Sequence, residues 1–98
     1  MNKRGRKKVE KKKRQRLHKI FDAALDVNGL GIRTVEKTNF MPTAFFDYAG
    51  HVGSVIVQIN KDGWEPMKEP DLELWILTSN VTEQKCAKVV SQIRGYQK

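Results

Sequence analysis

The sequence predicts an α+β two-layer sandwich, in which two helices cover one face of a small antiparallel sheet of three or four strands. Three observations carry this. Apolar residues recur at three- and four-residue spacing around residues 17–25 and again around 86–93, which is the period of a helix. Between them, short segments alternate apolar and polar residues with the period of a strand. The chain has 98 residues, enough for one small domain and too few for a multidomain enzyme or transporter. Each amphipathic helix must bury its stripe, and a sheet with one apolar face serves both.

The first helix is expected at about residues 16–28. Leu17, Ile20, Phe21, Ala24 and Leu25 fall on one face, and Asn28-Gly29 supplies a stop that tolerates the left-handed conformation. Residues 1–16 precede it as a basic arm. Runs of like charge repel themselves and stay disordered until a polyanion neutralises them, yet Lys, Arg, Gln and Glu are good helix formers. The arm is therefore read as disordered or as a backward extension of the helix.

Ile32 to Thr38 is a possible first strand. Thr43 to Tyr48 follows Pro42 and carries Phe45, Phe46 and Tyr48. Gly50-His51-Val52-Gly53 makes a turn into Ser54–Asn60, where Val55, Val57 and Ile59 alternate toward one face. Asn60-Lys61-Asp62-Gly63 is a second turn, and Pro66 and Pro70 mark 64–71 as a loop. Leu72 to Thr78 is the last strand, with Leu72, Leu74 and Ile76 facing the helices. Asn80-Val-Thr-Glu83 has the form of a capping box. Cys86, Val89, Val90 and Ile93 give the stripe of the closing helix, and Gly95 ends it.

Charge is distributed unevenly. The net charge is +8, but residues 1–19 hold eleven Lys and Arg against the single acid Glu10, so the remainder carries −2. No apolar run approaches the roughly 20 residues of a membrane span, and none follows the basic start as a signal peptide requires. Membrane insertion is not expected. A single cysteine, Cys86, forms no internal disulfide, which fits a cytoplasmic location. Cys86, His18 and His51 are too scattered for a zinc site, and no motif calls for a cofactor or a small-molecule substrate.

The arm carries the strongest functional signal. Lys3, Arg4, Arg6, Lys7, Lys8, Lys11, Lys12, Lys13, Arg14 and Arg16 can meet phosphates along DNA or RNA, with counterion release making the binding salt-sensitive. Nothing in the arm reads base edges, so it would position the protein without choosing a sequence. A solvated tail, or contact with an acidic protein or anionic lipid surface, is the alternative use. Alternation turns Trp75 away from the helices together with Glu73. The expectation is that loop 64–71 covers it. Left uncovered, Trp75 with Trp64 and the acids of 62–73 would mark a surface for a protein partner. Catalysis finds little support. Asp47 and His51 flank a turn with only Ser54 near them, and Cys86 falls on an apolar stripe, so the chain is read as a non-enzyme.

Two resemblances add to this reading. Phe45-Phe46-Asp47-Tyr48-Ala49-Gly50-His51-Val52, followed by a strand and Asp62-Gly63-Trp64, resembles small uncharacterised proteins of phages and mobile elements in Gram-positive bacteria. The likeness spans about residues 17–78 and implies a mobile-element origin. Some proteins of that size and source inhibit host defence nucleases. The helix, three strands, helix order is also similar to double-stranded-RNA-binding domains. Their last helix opens with Lys-Lys-x-Ala-Lys, which touches phosphates. Gln84-Lys85-Cys86-Ala87-Lys88 matches it at Lys85, Ala87 and Lys88, with Gln in place of the first Lys. That resemblance implies phosphate contact by Lys85 and Lys88. The family's Gly-Pro-x-His loop is absent, although Gly50-His51 lies at a similar place.

Overall fold

In a computed structural model, which describes residues 3–31 and 41–97, the first helix (α1) runs unbroken from Lys3 to Asn28. It starts well before the apolar stripe does. Lys, Arg, Gln and Glu hold helical backbone without burial, and no proline interrupts them. The buried face is Ile20, Ala23, Ala24 and Val27, a straighter line than the expected one. Phe21 and Leu25 fall to its margins, where the Phe21 ring meets Phe46 edge-on with centroids 5.1 Å apart. Gly29 ends the helix as the sequence suggests. Its φ is 70° and its N–H donates to the Leu25 carbonyl at 2.6 Å, a left-handed cap. The Asn28 side-chain oxygen accepts from the Ala44 N–H at 3.2 Å and so fastens the helix end to the sheet. The strand expected at 32–38 lies outside the described residues.

Strands β1 (Thr43–Ala49), β2 (Ser54–Asn60) and β3 (Leu72–Leu77) form an antiparallel sheet in that order. The register sets Phe46 opposite Val57 and Val57 opposite Leu74. Residues two apart share a face, so Ala44, Phe46 and Tyr48 line up with Ile59, Val57 and Val55, and these with Leu72, Leu74 and Ile76. Both helices pack on this face, joining Val55, Val57, Ile59 and Ile76 to Ile20, Val27, Val89 and Ile93 in one core. The α+β two-layer architecture is the predicted one. The opposite face, which includes Phe45, Ile56, Trp75 and Leu77, has no covering layer among the described residues.

A 3₁₀ turn, Thr78–Asn80, leads to the second helix, α2 (Glu83–Arg94). Thr82 caps it, its hydroxyl accepting from the Lys85 N–H at 3.1 Å. The capping box expected from Asn80 is not used. The 3₁₀ turn absorbs Asn80, and Val81 is buried ahead of the helix, which leaves Thr82 at the boundary. The helices run parallel, as their tie points show. Arg16 reaches the Val81 carbonyl at 3.0 Å and Asp26 pairs with Arg94 at 2.9 Å, so both chains advance in the same direction. Among the described residues no helix is long and apolar enough to cross a membrane.

Candidate nucleic-acid interface

The N-terminal half of α1 stands out from the domain. Twenty-six residues span about 39 Å at 1.5 Å each. The molecule measures 52 × 25 × 20 Å, and its radius of gyration, 14.9 Å, exceeds the roughly 13 Å of a compact chain this long. Residues 7–12 are exposed throughout, and among the described residues the first side-chain hydrogen bonds to the domain come from Lys13 and Arg16.

The helical period sorts the cations into three groups. Lys7, Lys11, Arg14 and His18 follow one another at i, i+4, i+7 and i+11, opposite the buried stripe and open to solvent. Lys12 and Lys19 face α2, lining a groove of about 580 Å³ that also holds Asp22 and Glu83. Lys13 and Arg16 sit in line with Ile20 and Ala23, so they turn inward. Lys13 Nζ donates to the Ser79 carbonyl at 3.4 Å, and Arg16 Nη1 to the Val81 carbonyl. These two fasten the arm to the domain. Lys7, Lys8, Lys11 and Lys12 make no ion pair or hydrogen bond among the described residues, while Arg14 pairs with Glu10 at 3.2 Å. That pair is exposed at both ends and holds Arg14 only weakly. Lys3, Arg4 and Arg6 lie in the first turns of the same helix.

Lys85 and Lys88 are exposed on α2 but do not join this surface. They line the far flank of the helix with Leu74 and Trp75 of β3, away from α1. Trp75 is 64% exposed, and its indole N–H donates to the Glu73 carboxylate at 2.8 Å. Loop 64–71 does not cover it, contrary to expectation. The loop is pinned at the other end of β3, where Asp71 accepts from the Lys61 N–H and donates its own N–H to the Ile59 carbonyl, both at 2.8 Å. Trp64 lies in that loop, half-exposed, beside a fully exposed Met67 with φ of 67°.

The residues considered for chemistry are not assembled. Asp47 projects from the open face of β1, His51 sits exposed in the β1–β2 turn, and Ser54 is buried. Cys86 is buried against α1 and donates to the Arg16 carbonyl at 3.4 Å, and burial pushes its thiol pKa up from 9.0. Among the described residues no cluster of His, Cys, Asp and Glu can hold a metal ion.

A feature not expected from the sequence is a cleft of about 630 Å³ on the β1 side of α1. Leu17, Phe46, Tyr48 and Val55 form its apolar walls. Lys13, Arg14, His18 and Glu10 rim it from the helix, and Thr78 and Ser79 from the 3₁₀ turn. The turn is held there by the Thr78 N–H, which donates to the Gly53 carbonyl at 2.8 Å. Gly53 has φ of 61°, and a Cβ there would stand 2.8 Å from the Thr78 hydroxyl, so the close approach requires glycine. The i, i+4 pair Arg14–His18 and the like-facing Phe46 and Tyr48 were visible separately. Only the fold sets them side by side. No protein-family model, curated protein or solved structure matches the chain.

Proposed function

We propose that the chain is a non-enzymatic accessory protein of the cytosol that binds nucleic acid electrostatically through the basic half of α1. The observation that carries this is the exposed row of Lys7, Lys11 and Arg14, with Lys8 and Lys12 beside it, on a helix that projects beyond its domain. Basic residues at a helix N-terminus oppose the helix dipole, and a polyanion relieves both the dipole and the mutual repulsion. A single face of the helix can meet about four phosphates. The logarithm of affinity then falls against the logarithm of salt with a slope near −3.6 on duplex DNA, about 100-fold between about 50 and 200 mM. Anisotropy of labelled duplexes and single strands across that range tests it, and a flat salt response refutes it. DNA and RNA present the same phosphates to such a surface.

A second reading draws on the sheet face that no layer covers among the described residues. Trp75 and Leu77 are more than half exposed there, beside Glu73 and Asp47. An apolar patch edged by acids suits a protein partner, as for a mobile-element inhibitor or regulator of a host protein. On that reading Trp75, Trp64 and Glu73 do the work and the arm assists.

A further inference from the structure

We infer that the cleft between α1 and the end of β1 receives an unpaired nucleotide, its base stacked on Tyr48 and its phosphate held by Arg14. This rests on the nucleic-acid reading above and adds to it a preference for single strands. Tyr48 is 62% exposed although it lies on the helix-covered side of the sheet. β1 is an edge strand, and Tyr48 stands near its end, where the ring rests against Gly50. One apolar wall is thus a flat aromatic surface with no ring stacked on it among the described residues.

The surroundings match a nucleotide in three respects. The volume, about 630 Å³, falls within the roughly 300–1,000 Å³ of small-ligand sites. Leu17, Phe46 and Val55 continue the apolar surface beneath a stacked base. Thr78 and Ser79 make part of its rim polar, as suits a base edge or sugar. Arg14 and His18 lie on the same rim and continue the row of Lys7 and Lys11, so a backbone following the helix passes the mouth of the cleft, while Lys13 there is engaged by the Ser79 carbonyl. Glu10 is the one acid there and is paired with Arg14, which an arriving phosphate can replace as partner. In a duplex, base faces are stacked on their neighbours and offer nothing to Tyr48, whereas single-stranded binding commonly combines such an aromatic platform with a basic groove.

The test uses the full chain and two labelled strands of about 12 nucleotides, within the usual range of single-strand sites: oligothymidylate and an abasic strand of equal charge. Stacking of one base predicts oligothymidylate binding about tenfold tighter than the abasic strand. Tyr48→Ala and Tyr48→Leu should both bring the two strands within about twofold, while Tyr48→Phe keeps the difference. Tyr48→Leu preserves apolar bulk on the strand, so a fold lost in the alanine variant does not remove the test. Equal binding of both strands by the unaltered protein overturns the cleft assignment and leaves the electrostatic reading standing. A base preference that survives Tyr48→Leu also overturns it. Failure to bind either strand at about 50 mM salt overturns both.

Discussion

Where the arm ends and the domain begins can be tested by removing residues in two steps. Deleting residues 1–12 removes seven Lys and Arg and one Glu, taking the net charge from +8 to +2. Residues 7–12 contribute nothing buried, so this cut should change folding stability by no more than about 0.5 kcal/mol, as for other surface changes. Deleting residues 1–16 reaches further. It removes the Arg16 guanidinium from the part-buried Val81 carbonyl and the Arg16 carbonyl from the Cys86 thiol. A hydrogen bond from a charged donor contributes about 1.5–3 kcal/mol, and the Cys86 contact adds less, so the longer deletion should cost about 2–3 kcal/mol. For a domain of about 80 residues that lowers the melting temperature by roughly 10 °C or more. Urea and thermal unfolding followed by circular dichroism measure both. Equal stability of the 13–98 and 17–98 chains would show that Arg16 does not fasten α1 to α2. Unfolding of the 13–98 chain would show that the projecting half supports the domain.

Cys86 should react with a thiol reagent far more slowly in the native protein than in urea, because it is buried and donates to the Arg16 carbonyl. Its thiol pKa is raised on folding, chiefly by burial, so its contribution to stability is intact below pH 9.0 and is lost as pH rises from there through the higher native value. Urea midpoints at alkaline pH should therefore fall less in Cys86→Ala than in the unaltered protein, and parallel declines would contradict the burial. Trp75→Ala should cost at most about 2 kcal/mol, since only about a third of the side chain is covered. A loss of about 3–5 kcal/mol would place Trp75 in a core instead. If the open sheet face is a protein surface, the same variant loses its partner while remaining folded.

The elements whose residues alternate or recur regularly were legible in the sequence. Val55, Val57 and Ile59 bury together because a strand has a period of two, and β2 is central with a layer on the face they share. The ends were harder to read. Nothing local distinguishes Asn80 from Thr82 as a cap, because the choice is made by the burial of Val81 between them. The extent of α1 was also ambiguous, since a run of Lys and Arg is compatible with both helix and disorder. For the candidate site, sequence located the cations but not their division of labour. Arg16 and Lys7 look alike in the chain. Only the helical phase relative to Ile20 sends one inward to a carbonyl and leaves the other in solvent. Lys85 and Lys88, placed with the arm on charge and motif, stand instead beside Trp75 on the far flank of α2. The Tyr48 cleft joins residues from three separate segments and has no linear signature.

The central claim is that the projecting half of α1 binds the phosphate backbone. The most direct measurement is the salt dependence of binding for the full chain and for the 13–98 chain, by fluorescence anisotropy on one labelled duplex. With about four phosphates engaged, the full chain should show a slope near −3.6. The 13–98 chain, retaining Arg14 and the inward-turned Lys13 and Arg16, should fall to about −1 and bind more weakly at every salt concentration. Identical slopes and affinities for the two chains would contradict the claim, because residues 7–12 would then contribute nothing to the contact.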